Sequence, residues 1–172
     1  MKTKLPLMIV VGLVSVGAAL ASSKEKPVAN VEVTFVAPEK FTDVKDDYMG
    51  SDKGRAALLD QLKDCLVTEG AKVVAPDQRL EIKVTDIDLA GDFEPWRGPE
   101  LQNVRIVKDV YPPRVKLEFR LLSADGKVVT EGKRELQDLG FLMKLAVPTT
   151  EPLRYDKQQL VDWLRREFKR SA

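Results

Sequence analysis

The sequence predicts an α+β domain, a mostly antiparallel twisted sheet of about five strands with two helices packed on one face. Three observations carry that prediction. Short runs alternate apolar and polar residues with period two, two longer segments repeat apolar residues at helical spacing, and Asp125-Gly126 separates two alternating arms as a hairpin turn. One sheet layer and one helix layer satisfy the order strand, helix, strand, strand, hairpin strands, helix.

The first strand is "VEVTFVAP", which sets Val31, Val33 and Phe35 against Glu32 and Thr34 and ends before Pro38. "EKFTDVKDDYMGSDKG" has loop chemistry. In "RAALLDQLKDCLVTEGAKVV", Leu58, Leu59, Leu62, Cys65 and Leu66 form one stripe, with Ser51 or Asp52 expected as N-cap and Gly70 as the stop. The strand "RLEIKVTDIDLAG" follows. Unbroken alternation from Leu80, Ile82 and Val84 would bury Asp86 and Asp88 and expose Ile87 and Leu89. Burying unpaired carboxylates costs several kcal/mol each, so a bulge near Thr85 or Asp86 is expected to turn the aspartates outward.

"DFEPWRGPELQN", with Pro95, Gly98 and Pro99, reads as an exposed loop, and a short strand is expected at Val104–Val107. After the Tyr111-Pro112-Pro113 corner, the first hairpin arm alternates Val115, Leu117, Phe119 and Leu121, and Gly132 marks a candidate bulge in the return arm. Beyond a loop with Pro148 and Pro152, "LRYDKQQLVDWLRREFKRSA" closes the chain as a helix. Leu160, Val161, Leu164 and Phe168 form its buried stripe, Trp163 is expected in the core, and Asp156 with Gln159 resembles a capping box. Arg165, Arg166, Lys169 and Arg170 favour the negative end of the helix dipole.

The first residues, "MKTKLPLMIVVGLVSVGAALASSKEKP", have the three parts of a secretory signal peptide: Lys2 and Lys4, an apolar run, and the small-residue exit Ala19-Leu20-Ala21. The expected organisation is a signal peptide over 1–21 and a single domain over 22–172, exported and periplasmic. The apolar run is shorter than the roughly 20 residues of a membrane span. No later segment is long and apolar enough to span either, and no cysteine stands at the cleavage point to take a lipid anchor.

Charge is nearly balanced, with 28 Lys and Arg against 27 Asp and Glu, so no basic excess argues for nucleic acid. Cys65 is the only cysteine, which excludes an intramolecular disulfide, and its place on the apolar stripe reads as a buried, inert thiol. The chain has no histidine. Ser-His and Cys-His nucleophile pairs and the commonest transition-metal ligand are therefore excluded, leaving carboxylate, lysine or tyrosine chemistry.

The acids of "VTDIDLAGDFEPW", namely Asp86, Asp88, Asp92 and Glu94, admit three readings. Asp86, Asp88 and Gly91 fall at positions one, three and six of a helix-loop-helix calcium loop, but Ala90 and Arg97 occupy positions five and twelve, where oxygen ligands belong. That motif fails, leaving only a looser calcium cage open. A catalytic pair needs two carboxylates across a cleft, which the spacing does not single out. The favoured reading is ionic: Arg97, Arg105, Lys108 and Arg114 neutralise the acids at one rim of the sheet. "GSDKGRAALL" lacks phosphate-loop spacing and reads as a helix cap. No catalytic residue, metal or cofactor is assigned.

Four blocks, "VTDIDLAGDFEP", "VRIVKDVYPPRVKLEFRL", "ELQDLGF" and "PLRYDKQQLVDWLRREF", together resemble the secreted proteobacterial family known as domain of unknown function 3016. The resemblance runs in order over nearly all of 22–172 and implies export and a shared fold, with no activity attached. Independently of the resemblance, charged and aromatic residues concentrated in one Pro- and Gly-punctuated loop lead to the expectation of a non-enzymatic binding or envelope-assembly module. Its candidate rim is Asp86, Asp88, Asp92, Glu94, Trp96, Arg97, Arg105 and Arg114, facing an envelope protein or periplasmic ligand, with Trp96 as an exposed anchor. The alternative is a carboxylate-dependent hydrolase acting on envelope glycans.

Overall fold

The computed structural model describes residues 30–144 and 151–168. The elements are β1 (Val31–Phe35), α1 (Asp52–Val73), β2 (Arg79–Asp88), β3 (Asp92–Phe93), β4 (Arg105–Ile106), β5 (Arg114–Leu122), β6 (Val128–Gln137) and α2 (Arg154–Glu167). The expected signal peptide, Pro148 and the basic residues Lys169 and Arg170 lie outside the described residues. Among the described residues no helix is long and apolar enough to cross a membrane.

The fold is α+β, as the periodicities predict. A four-stranded sheet has the order β1-β2-β5-β6, with β1 parallel to β2 and the other neighbours antiparallel. The fifth expected strand does not join it. Only Arg105–Ile106 is extended there, and it pairs with β3 in a separate two-stranded ribbon inside what reads as a loop. A strand preceded by Pro and Gly and followed by the Tyr111-Pro112-Pro113 corner is too short to span the sheet.

Both helices cover one face. Val31, Val33, Leu80, Ile82, Val84, Leu117, Phe119 and Leu121 point toward Leu59, Leu62 and Leu66 of α1 and Leu160 and Leu164 of α2. Trp163 is buried as expected, its ring edge-to-face with Phe119 at 5.9 Å, while Val161 is only half-buried. The opposite face carries a cross-strand ion-pair ladder in which Arg79 pairs with Glu32 and Glu81, and Arg120 with Glu81 and Glu131.

Three local expectations change. Ser51 caps α1, its Oγ accepting the Gly54 N–H at 2.9 Å, but Gly70 does not stop the helix, which continues to Val73. A Cβ at Gly70 would sit 3.0 Å from Val31 Cγ2, so this glycine lets α1 lie close on β1. The β6 bulge is at Val129, where the register slips, and Gly132 pairs regularly with Phe119. A Cβ at Gly132 would meet the Arg134 guanidinium at 2.8 Å, so that glycine leaves room for the arginine over the Phe119 ring. Asp156 is not a cap either: the residue preceding α2 is Leu153, at φ 58° with no side-chain cap, and Asp156 is buried inside the first turn.

Candidate functional site

The expected bulge in β2 is present, with the register against β5 slipping between Val84 and Asp86. It does what the hydrophobic pattern required: Ile87 and Leu89 are buried, and Asp86 and Asp88 turn to the other face. There the chain itself supplies partners. Asp86 accepts the Thr42 N–H at 2.8 Å, the Thr42 hydroxyl at 3.0 Å and Lys116 Nζ at 3.3 Å. Partial burial raises its pKa, but these bonds more than offset that and hold it below the usual carboxylate range. Asp88 stands opposite Arg114 on β5 and forms a parallel bridge with Asp43. Burial first, and then the Asp43 charge, raise its pKa.

Past β2 the chain leaves the sheet at Gly91, whose φ of 82° is the left-handed conformation glycine adopts freely. A Cβ there would lie 2.8 Å from the Ile106 carbonyl, so the ribbon strand β4 crosses directly over it. Arg105 fastens the crossing. Its Nη1 donates to Asp43 Oδ2 and to the Gly91 carbonyl, both at 2.8 Å, its Nη2 donates to the Lys45 carbonyl at 3.1 Å, and its guanidinium lies over the Phe93 ring at 4.6 Å. Asp92 is exposed and accepts the Phe93 N–H at 2.7 Å.

Glu94 is the hub of the excursion. It is 2 % exposed and accepts Lys108 Nζ at 2.5 Å, the Tyr111 hydroxyl at 3.1 Å and Arg97 Nε. The Lys108 ammonium foremost, with Tyr111 and Arg97, holds its carboxyl below the usual range despite burial. Glu94 thereby ties the short 3-10 turn Pro95–Arg97 to the returning chain, and that turn carries Trp96, 71 % exposed. Leu101, Val104, Val107 and Val110 of the same excursion are also exposed.

The candidate residues thus form two adjoining groups. Asp86, Asp88, Asp92, Arg105 and Arg114 surround or adjoin a recess of about 290 Å³ lined also by Thr42, Asp43, Lys45 and Tyr111. Glu94, Trp96 and Arg97 belong to the laced turn. The ionic reading holds for Glu94, which pairs with Arg97 and Lys108 as expected, whereas Arg105 neutralises Asp43 and Asp86 takes Lys116 rather than an arginine. Among the described residues, Asp43 Oδ1 is buried without a hydrogen-bond partner. No group of three or more Cys, Asp or Glu side chains that could hold a metal ion occurs among the described residues.

Sequence reasoning missed Thr42, Asp43 and Lys116, which come from segments 30 or more positions away and carry no local signal. It also misread Asp156. This carboxylate, 3 % exposed, accepts the Ala90 N–H at 2.9 Å and so pins α2 to the start of the excursion. Burial pushes it up to about 6, with Asp88 adding to the rise and the Ala90 bond and Arg105 opposing it. Gln159, one turn on, donates to the Pro113 carbonyl at 3.1 Å and fixes the other end of the same region.

A search of curated proteins gives no match, and neither does a search of solved structures. The model of one family, described as a protein of unknown function (DUF3016), matches residues 29–166, most of the chain and all of the sheet, ribbon and site described above. The chain belongs to that family, DUF3016.

Proposed function

We propose that this chain is an exported, non-enzymatic binding or envelope-assembly module that presents the Trp96 turn to a partner in the periplasm. The observation that carries the reading is the contrast within one turn: Glu94 is enclosed and held by three donors, while Trp96, two residues on, is 71 % exposed. An exposed indole on a fixed backbone loses little freedom on binding and offers a large apolar face. Export rests on the three-part N-terminal sequence pattern, Lys2 and Lys4 through Ala21.

The hydrolase reading asks for two acids across a cleft, one with a raised pKa. Asp88, whose pKa is raised, lines the recess with Asp43 and Asp92, but Asp43 is bridged to Asp88 on the neighbouring segment and paired with Arg105, so these acids stand side by side against a cation rather than across a cleft. The arrangement favours binding over hydrolysis.

A photo-cross-linking amino acid at position 96, introduced in intact cells, tests the proposal. A discrete adduct is expected from position 96 and none from a control at Lys63 on α1. Identical background from both positions would sink it.

A further inference from the structure

The sheet ends in two unlike edges. β1 is short, Val31–Phe35, whereas β6 runs over ten residues, Val128–Gln137, and is exposed along nearly all of its length. Among the described residues no segment pairs with the outer side of β6. Of its backbone groups, only the Lys133 carbonyl takes a side-chain donor, Arg134 Nη1 at 2.9 Å, among the described residues. Val128 and Val129 are exposed at 45 % and 53 %. Such an edge is a template for another strand unless charges or bulges forbid pairing.

The charges of β6 do not forbid pairing, and its bulge at Val129 lies outside the central stretch 131–133; among registers centred on residues 131–134 the charges favour one. When two copies pair antiparallel through a two-fold axis, residues directly opposite share a sheet face, so the centre falls on one residue facing itself. Centred on Gly132, the pairing sets Glu131 of each copy against Lys133 of the other, twice by symmetry, with Thr130 against Arg134. Shifting the centre to Glu131 or to Lys133 brings like charges face to face, and centring on Arg134 opposes two guanidinium groups. Opposite charges across a pair favour it and like charges disfavour it. Gly132, without a side chain, sits where the two backbones meet. Glu131 and Lys133 can turn outward: their side chains are 63 % and 81 % exposed, and among the described residues their ion pairs are the surface ones with Arg120 at 3.5 Å and Glu118 at 2.6 Å.

We propose that β6 is a self-association edge, through which two copies of this chain join into one continuous sheet about a two-fold axis at Gly132, registered by reciprocal Glu131–Lys133 pairs. The surface is separate from the Trp96 turn, so each proposal stands or falls alone.

Sedimentation of the purified protein, up to roughly millimolar concentration, should give a monomer–dimer equilibrium. Glu131→Lys and Lys133→Glu should each weaken the dimer by about tenfold or more, since each replaces two attractive pairs by two repulsive ones. Mixing the two single variants should restore it, because both cross-strand pairs are then of opposite sign, and the double variant should also dimerise. Lys63→Glu, an exposed charge reversal on α1, should change nothing, and circular dichroism confirms that each variant is folded. A monomer at every concentration, single variants that dimerise as well as wild type, a mixture that stays monomeric, or equal loss with Lys63→Glu would each overturn the proposal.

Discussion

Glu94 and Asp156 are equally enclosed, at 2 % and 3 % exposure, yet their carboxyl groups shift in opposite directions. Glu94 meets an ammonium, a guanidinium and a phenol hydroxyl, and stays ionised below the usual range. Asp156 meets backbone N–H groups instead, that of Ala90 and its own, and burial lifts it to about 6. The lesson is that burial alone does not set the charge state of an acid; the donors packed around it decide. In this molecule the excursion that carries Trp96 supplies its buried acid with two cations, Arg97 and Lys108, and the helix side of the same region is left with an acid that gives up its charge just below neutrality.

Replacing the hub should have the largest effect. Glu94→Ala strands Lys108, Arg97 and Tyr111 together and is expected to lower the melting midpoint more than any other change discussed here, with freed Trp96 fluorescence reporting a loosened turn. Because the folded pKa of Glu94 lies below its usual 4.5, its contribution is complete above that value and drains away as pH falls through the folded pKa. Wild type and Glu94→Gln should therefore converge in acid.

Arg105→Ala comes next, at about 3 kcal/mol by denaturant unfolding, since it leaves the mostly buried Asp43 without its cation and unfastens β4 from Gly91. Asp156→Asn should act in the other direction. With a folded pKa near 6 against 3.8 for the free group, the folded protein holds more protons between those values, so wild-type stability falls as pH rises from about 4 to 6. Asparagine keeps an acceptor for Ala90, flattens that slope and should gain about 2 kcal/mol at pH 7. Trp96→Ala should change stability by no more than about 0.5 kcal/mol, the ordinary surface range, while abolishing binding of the partner that the probe at position 96 cross-links.

The frame was legible because hydrophobic pattern and penalty agreed. The β2 bulge follows from Ile87 and Leu89 needing the core, the hairpin from Asp125-Gly126, and the burial of Trp163 from the α2 stripe. Gly70 and Gly132 misled because a glycine needed for close approach looks, in one dimension, like a stop or a bulge. Asp156 misled for a similar reason: Asp with Gln three residues later fits a cap, and only the fold brings the Ala90 N–H to it across 66 positions. The site acids were visible as a cluster, but Thr42, Asp43 and Lys116, which satisfy or perturb them, are assembled by strand pairing alone.

The central claim is that the chain's own groups, rather than a bound cation, hold the rim in place. Its most direct test is the thermal midpoint of the protein in EDTA and then in millimolar calcium, beside an Asp86→Asn, Asp88→Asn double variant. Occupancy at 100 times the dissociation constant would add about 2.7 kcal/mol, a shift of several degrees. The same midpoint is expected with and without calcium in both proteins. A calcium-dependent rise in wild type that the double variant lacks would contradict it and make the recess beside Asp43 and Asp88 a metal site.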